Sequence, residues 1–385
     1  MKKIYLDNGA TSYPKAPGIE NVISDYLLNC GSSVNRSTYS DAFSTENTIF
    51  ETRELLCELF NFNKPENVIF TKNITESLNV VMKGLLKSGD HVIVSSMEHN
   101  AVMRPLTSLS KKGIEFSRVP CSRKGDLDPT IIEKYIKSNT KAIIMTHCSN
   151  VCGTVLPLEQ VGEICKKHNL FFIVDAAQSA GVLPIDMEKF NIDCLCFTGH
   201  KSLLAAPGIG GFLINDRLNK EVCPLIEGGT GSLSDKEEQP SYMPDKFEGG
   251  TPNVIGILSL NTSLKFIMKT GLEAIHTHEM ELCKVFMNGL KEIPGLRIVG
   301  HHDLEDMSQR LSTVSITLVD KDMGEFAHTL SRDYGISTRC GMHCAPSAHE
   351  TLGTFPDGTI RFSIGYFNTK EDIEYALKTI QEMMK

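Results

Sequence analysis

A carboxylate and a lysine each follow a short apolar run near the middle of the chain. Residues 171–174 are all apolar and predict a buried strand, and Asp175 stands directly after them. Residues 194–197 form a second apolar run, which leads through three residues to Lys201. A lysine that bonds covalently to an aldehyde, and a carboxylate that keeps a pyridine nitrogen protonated, are the groups that pyridoxal phosphate (PLP) chemistry requires. Each residue alone also has a simpler interpretation, because a strand-end Asp often caps a turn and a Lys after a Gly often lies at the surface.

The elements that would position these two residues alternate between strands and helices. Strands are predicted at 91–95 and 141–146, and a helix at 160–168 precedes the strand that ends at Asp175. This alternation indicates a mainly parallel sheet with helical crossovers. Open sheets of this kind bind ligands at the carboxyl ends of their strands, where Asp175 and Lys201 would both lie.

A helix is predicted to begin after Asn73. Asn73 is a good N-cap, Glu76 stands three residues later as in a capping box, and Gly89 is predicted to end the helix. The free N–H groups of such a terminus can bind an anion, although an ordinary capped helix is the simpler interpretation. Later in the chain, a strand at 311–318 and a helix at 324–330 predict a second, smaller unit.

The composition is that of an ordinary globular protein. The chain has 385 residues, 41% of them hydrophobic and 22% charged, which is long enough for two domains. A net charge of −8 gives no basic surface for nucleic acid or an anionic membrane. No apolar run reaches a membrane-spanning length, the N-terminus lacks the apolar core of a signal peptide, and the 12 cysteines form no paired framework. We therefore expect a cytoplasmic protein with reduced thiols.

Several motifs resemble one family over nearly the whole chain. Val-Asp-Ala-Ala-Gln-Ser-Ala-Gly, followed by Phe-Thr-Gly-His-Lys ending at Lys201, resembles the class V aminotransferase superfamily, and within it the cysteine desulfurases and selenocysteine lyases. The resemblance runs from Tyr-Leu-Asp-Asn-Gly-Ala-Thr at Tyr5 to Tyr-Phe-Asn-Thr at Thr369. It implies an α/β, PLP-dependent transferase fold of type I that forms homodimers. The large PLP-binding domain, with a mainly parallel seven-stranded sheet, is expected at 15–255. A smaller α+β C-terminal domain that carries the catalytic cysteine loop is expected at 1–14 and 256–385.

The resemblance also assigns the residues that would bind PLP. Lys201 would carry the cofactor, Asp175 would contact the ring nitrogen, and His99 would stack on the ring and serve as an acid or base. Asn150 would contact the phenolic oxygen or the substrate carboxylate. Thr251 would reach the cofactor phosphate of the partner subunit. The full predicted cofactor set is Lys201, Ile74, Thr75, His99, Asn150, Asp175, Gln178, Thr198, His200 and Thr251.

A cysteine-containing segment near the C-terminus allows two interpretations. Cys340, His343, Cys344 and His349 have the residue types of zinc ligands, but their spacing fits no common zinc motif. The segment matches the family motif Arg-x-Gly-x-His-Cys-Ala more closely, which makes Cys344 the nucleophile and predicts no metal.

The substrate contacts also follow from the resemblance. It assigns Arg361 to the substrate carboxylate, a role that suits a bidentate guanidinium. It places Gly9 and Ala10 beside the substrate. Arg36 falls loosely where the family has an Arg next to the cofactor.

The function expected from the resemblance is that of a group II cysteine desulfurase. L-cysteine would become L-alanine, and its sulfur would form a persulfide on Cys344 for a sulfur-acceptor protein. A selenocysteine lyase would share every residue named; a plain transaminase or a non-enzymatic scaffold would leave Cys344 or Lys201 idle. Iron–sulfur cluster assembly is the expected pathway, with thiolated RNA and selenium metabolism as alternatives. Ala205 and Ala206 replace the usual Gly-Pro after Lys201, and we expect the backbone turn there to survive.

Overall fold

The computed structural model describes residues 3–32, 34, 40–303 and 306–385, so that Arg36 lies outside the described residues. The strands are β1 (Ile4–Tyr5), β2 (Val68–Thr71), β3 (His91–Ser95), β4 (Glu115–Val119), β5 (Thr140–Thr146), β6 (Phe171–Asp175), β7 (Cys194–Thr198), β8 (Gly210–Ile214), β9 (Leu296–Val299), β10 (Thr313–Leu318), β11 (Ile336–Ser337), β12 (Arg339–Gly341) and β13 (Thr359–Ser363).

The helices connect these strands. They are α1 (Ile19–Asp25), α2 (Ser40–Phe60), α3 (Ile74–Leu85), α4 (Asn100–Ser110), α5 (Leu158–Lys167), α6 (Asp216–Asn219), α7 (Val254–Thr270), α8 (Leu272–Lys291), α9 (Met323–Tyr334), α10 (Pro346–Leu352) and α11 (Lys370–Met384). A π-helical turn at Tyr26–Cys30 and 3₁₀ segments at Pro65–Asn67 and Pro129–Tyr135 complete them.

A seven-stranded sheet in the order β2-β8-β7-β6-β5-β3-β4 forms the centre of the molecule. Its strands β7, β6, β5, β3 and β4 run parallel, and β8 is antiparallel to both of its neighbours. Strands β3, β6, β7 and β8 are buried along their whole length, because helices cover both faces of the sheet. The predicted α/β fold with a mainly parallel seven-stranded sheet is confirmed.

The strands and helices that carry the predicted site residues lie close to where the sequence places them. The predicted strands before Asp175 and Lys201 are β6 and β7, and the predicted strand at 311–318 is β10. Asn73 caps α3 as predicted, since its side chain accepts a hydrogen bond from the Glu76 N–H.

Two details of α3 are wrong in the sequence prediction. The helix ends at Leu85 rather than at Gly89, because Leu86 is already extended and Gly89 belongs to the following turn. The Glu76 side chain accepts from the Lys72 N–H, so the reciprocal bond of a capping box to Asn73 is not made.

A smaller antiparallel sheet in the order β12-β13-β10-β9 lies in the C-terminal part of the chain. Its core is formed with α8, α9 and α11, and Ile4 and Leu6 from the N-terminus pack in the same cluster. Strand β1 pairs with β11, which ties the first residues to this unit. Buried residues of α7 pack instead with the large sheet. The boundaries at 15 and 255 stay a prediction. Among the described residues, no helix combines the length and apolar character needed to cross a lipid bilayer.

Candidate active site

The carboxyl-terminal ends of neighbouring strands in the large sheet surround a cavity of about 250 Å³. Segments that follow β3, β5, β6 and β7 form its walls, together with the N-terminus of α3. Nine of the ten residues predicted to bind a cofactor line it: Ile74, Thr75, His99, Asn150, Asp175, Gln178, Thr198, His200 and Lys201. Asn73, Thr146, Cys148 and Ala177 complete the lining and were not predicted to do so.

Asp175 is buried and Lys201 is half-buried at this cavity. The Asp175 carboxylate accepts a hydrogen bond of 2.9 Å from the Ala177 N–H, and burial raises the pKa of Asp175 above its ordinary value. Burial lowers the pKa of Lys201 to about 8, and the negative charge of Asp175 opposes that shift. Because its pKa is so low, the Lys201 amine has a large neutral fraction near pH 8, and the neutral amine is the nucleophilic form.

The lining also offers groups that fit a phosphate. The Thr198 hydroxyl is buried and has no hydrogen-bond partner among the described residues. Ile74 and Thr75 begin α3, so their part of the lining is a helix N-terminus, where backbone N–H groups favour an anion. Gly210 lets α3 approach β8 closely, since a Cβ there would lie 2.7 Å from the Asn73 Cα.

The hydrogen bond made by His99 defines its protonation. Its Nδ1 accepts a hydrogen bond of 3.0 Å from the Ala101 N–H, so the ring proton is on Nε2. Burial, with a smaller contribution from the positive charge of Lys201, lowers the pKa of His99 to about 4. His99 is therefore neutral at physiological pH and offers Nε2–H as a donor.

Arg361 lies beside the cavity on β13 and is 1% exposed. Its Nη2 donates to Asp7 Oδ1 at 2.7 Å, and its Nη1 donates to the Asn150 carbonyl oxygen at 3.0 Å. Its Nε–H has no partner among the described residues, so the guanidinium keeps a donor for a further acceptor. Sequence reasoning missed Asp7, although it lies within the Tyr-Leu-Asp-Asn-Gly-Ala-Thr motif.

Gly9 lies between Arg361 and Gln178. Its N–H donates to Ser363 Oγ at 2.7 Å, and its carbonyl accepts from Gln178 Nε2 at 3.1 Å. A Cβ at Gly9 would lie 3.2 Å from the Arg361 Cζ, so a glycine leaves room for the guanidinium. Ala10 closes a turn by donating to the Asp7 carbonyl and does not line the 250 Å³ cavity.

Cys344 is exposed and lies in a turn between β12 and α10, outside the lining of the cavity. It and His343 have φ values of +59° and +46°, a backbone region that residues other than glycine seldom adopt. Arg339 Nη2 donates to the Cys344 sulfur at 3.7 Å. The turn is tied to the cavity, since Asn100 N–H donates to the Cys344 carbonyl and Asn150 Nδ2 donates to the His343 carbonyl, both at 2.8 Å.

The other residues weighed as zinc ligands do not form one cluster with Cys344, although the ring centroids of His343 and His349 lie 5.5 Å apart. Cys340 is half-buried on β12, where it packs against the core of the smaller sheet and burial raises its pKa. His343 Nε2 and His349 Nδ1 each bond to a threonine hydroxyl, of Thr359 and Thr354 respectively. No cluster of three or more His, Cys, Asp or Glu side chains in the described ranges could hold a metal ion.

The loop after Lys201 forms the expected backbone turn, and Thr251 lies away from the 250 Å³ cavity. The turn with Ala205 is present, since the Ala205 N–H donates to the Gly199 carbonyl at 2.8 Å, and Leu204 takes the left-handed conformation there. Thr251 is exposed and lines a separate cavity of about 370 Å³, so one chain alone does not bring it to the other predicted residues.

Comparisons with known proteins agree with this geometry. The family model described as aminotransferase class-V matches residues 4–376. A probable cysteine desulfurase of Pyrococcus abyssi is 31% identical, over 99% of this chain and 94% of that protein. One of Methanothermobacter thermautotrophicus is 30% identical with the same coverage. The apo structure of a cysteine desulfurase from Thermococcus onnurineus NA1 superposes with a TM-score of 0.91 at 31% identity, covering 99% of this chain and 94% of that chain. The chain therefore belongs to the class V aminotransferase family and has the type I fold of its PLP-dependent enzymes.

Proposed function

We propose that this chain is a PLP-dependent cysteine desulfurase that converts L-cysteine to L-alanine and receives the sulfur on Cys344. The observation that carries the proposal is an exposed cysteine, hydrogen-bonded by Arg339, on a turn tied to the cavity that contains Asp175 and Lys201. The names of the relatives support it, and the family is generally PLP-dependent. Purified protein supplied with PLP and L-cysteine should form alanine; its absence would refute the proposal.

The residues of the cavity fit PLP. Lys201 would hold the aldehyde carbon, Asp175 the ring nitrogen, and Thr198, His200 and the start of α3 the phosphate. The unpartnered Thr198 hydroxyl supports this, because a buried hydroxyl without a partner costs free energy that a phosphate oxygen would recover. When bound, PLP supplies an electron sink for the charge that develops at the substrate α-carbon.

The protein groups then have distinct tasks. Arg361 would bind the substrate α-carboxylate through its free Nε–H and through Nη2, which would exchange Asp7 for the substrate. The neutral Lys201 amine would accept the α-proton, a task for which a pKa of about 8 is suited. His99, with its proton on Nε2, would donate a hydrogen bond rather than act as a base.

The sulfur transfer balances without an added oxidant. The Cys344 sulfur, as thiolate, forms a bond to the substrate sulfur while the bond from that sulfur to the β-carbon breaks. The β-carbon gains a proton and the product is alanine. L-cysteine and one enzyme thiol thus give L-alanine and one enzyme persulfide. The exposed position of Cys344 supports the further proposal that a sulfur-acceptor protein takes the persulfide. We also propose a cytoplasmic location, and iron–sulfur cluster assembly as the pathway that uses the sulfur.

Arg339 should be needed for a fast sulfur transfer. Its guanidinium donates to the Cys344 sulfur, and such a bond is stronger to a thiolate than to a thiol. Arg339→Ala should therefore slow persulfide formation about tenfold, the effect of losing roughly one charge-assisted hydrogen bond. Arg339→Lys should recover part of the rate because it keeps a cation. Rapid-quench measurement of persulfide formation checks this, and an unchanged rate in Arg339→Ala would contradict it.

We also propose a homodimer in which Thr251 reaches the cofactor phosphate of the partner. Leu225 and Ile226 share its cavity and are 45% and 49% exposed, an apolar surface that a second copy would cover. Thr251→Ala should weaken PLP binding about tenfold through loss of one hydrogen bond to a charged group. Ile226→Asp should yield monomers that lose PLP. Sedimentation and cofactor content are the measurements, and a monomer with full PLP content would disprove the shared site.

A further inference from the structure

A fully buried glutamate directly precedes His99 in the chain, and none of the steps above uses it. Glu98 is 0% exposed. A buried carboxyl group is costly unless it is hydrogen-bonded, so its contacts show what it does.

Glu98 connects the ends of two neighbouring strands. The Ser95 hydroxyl, at the end of β3, donates to Glu98 Oε1 at 2.5 Å. The Thr146 N–H, at the end of β5, donates to Oε1 at 3.0 Å and to Oε2 at 3.1 Å. Ser95 Oγ also accepts from the Met97 N–H. The Glu98 side chain therefore fixes the short turn after β3 to both strands.

This attachment determines where His99 lies. His99 follows Glu98 immediately and lines the cavity. It is the N-cap residue of α4, where its side chain accepts a hydrogen bond from the Ala101 N–H. We propose that Glu98 is a positioning residue that holds the His99 imidazole against the bound cofactor, an inference that rests on the proposed function.

The hydrogen bonds of Glu98, rather than its charge, are what we expect to matter. Burial and the negative charge of Asp175 raise the pKa of Glu98 to about 8, so a large neutral fraction is present near pH 7. Glu98→Gln keeps a carbonyl oxygen that can accept from both Ser95 and Thr146. It should retain at least half of the wild-type kcat. Glu98→Ala should lower kcat by up to about 100-fold, because the His99 imidazole would be misplaced. Equal losses in both variants would overturn the proposal.

A double-mutant cycle with His99→Ala separates positioning from a general structural effect. If Glu98 acts through His99, Glu98→Ala should change kcat by no more than about twofold in the His99→Ala background. Ser95→Ala removes one hydrogen bond to Glu98 and leaves Glu98 in the chain, so it should lower kcat by less than Glu98→Ala does. That decrease should also disappear in the His99→Ala background. Visible circular dichroism of bound PLP gives a second measure where turnover is too slow, and it should follow the same pattern.

Asp193 provides a matched control. It is a buried carboxylate that accepts from the Phe172 N–H and from Arg217, and it directly precedes β7, at the end of the strand away from the cavity. Asp193→Ala should lower the thermal stability of the holoenzyme and leave kcat within about twofold of wild type. If Glu98→Ala retains its full effect without His99, the positioning role is wrong while the proposed function stands. If the wild-type holoenzyme forms no alanine from L-cysteine, the two fall together.

Discussion

Replacing Cys344 with alanine should lower cysteine desulfuration by about 1,000-fold or more, because the loss of a covalent nucleophile has effects of this size. Sulfur leaves the β-carbon of cysteine poorly unless a nucleophile takes it. Selenium leaves more easily, since a selenol is already ionised at neutral pH. The same variant should therefore keep substantial selenocysteine cleavage and a normal visible absorbance of the bound cofactor. Alanine formed per minute from each substrate is the measurement.

Cys340→Ala is the matched control for this prediction. Cys340 lies four residues from Cys344 but is half-buried against the core of the smaller sheet. Its replacement should leave most of the activity with both substrates. Cysteine desulfuration at the wild-type rate by Cys344→Ala would show that another group accepts the sulfur. If Cys344→Ala lost selenocysteine cleavage by as large a factor as cysteine desulfuration, the role of Cys344 would not be limited to sulfur transfer.

Lys201→Ala should abolish turnover and the visible absorbance of covalently attached PLP. The other cavity residues remain, so we expect the variant to bind PLP weakly and reversibly. Borohydride reduction, which makes the covalent attachment permanent, should label wild-type protein on Lys201 and leave the variant unlabelled. Retention of label by Lys201→Ala would place the attachment on a different lysine.

The low pKa of Lys201 gives this prediction a pH dependence. Only the neutral amine attacks the aldehyde, and burial lowers the pKa to about 8, so the rate of PLP attachment to the apo-protein should rise as the pH increases through about 8. Asp175 raises the pKa of Lys201, so Asp175→Ala should move the midpoint of that rise to lower pH. A midpoint near the ordinary lysine value of about 10.4 would contradict the burial of the amine.

Local patterns were sufficient to predict the strands that carry Asp175 and Lys201 and the start of α3. Runs of buried apolar residues define β6 and β7, and Asn73 is a strong cap signal. The end of α3 was not predictable in this way, because Gly89 suits both a helix terminus and the turn in which it lies. The side chain of Glu76 likewise had two backbone donors within reach and bonds to Lys72.

The cavity residues were predicted from the motif resemblance, whereas the contacts between distant residues can be read only from the folded structure. Arg361 and Asp7 are 354 residues apart in the chain and form an ion pair of 2.7 Å, which no local pattern indicates. Glu98 was missed for the same reason, since Thr146 lies 48 residues away. The motif predicted Cys344 over Cys340, and the structure adds a physical difference between them, exposure beside Arg339 against packing in a core.

The central claim is that sulfur from L-cysteine is transferred to Cys344. The most direct test mixes holoenzyme with one equivalent of L-cysteine per chain, without any other thiol, reductant or acceptor, and then digests the protein for peptide mass spectrometry. We predict one alanine per chain in the first turnover and one added sulfur atom on the Cys344 peptide, released by a thiol reductant. Sulfur on another cysteine, or alanine formed without any sulfur on the protein, would contradict the account.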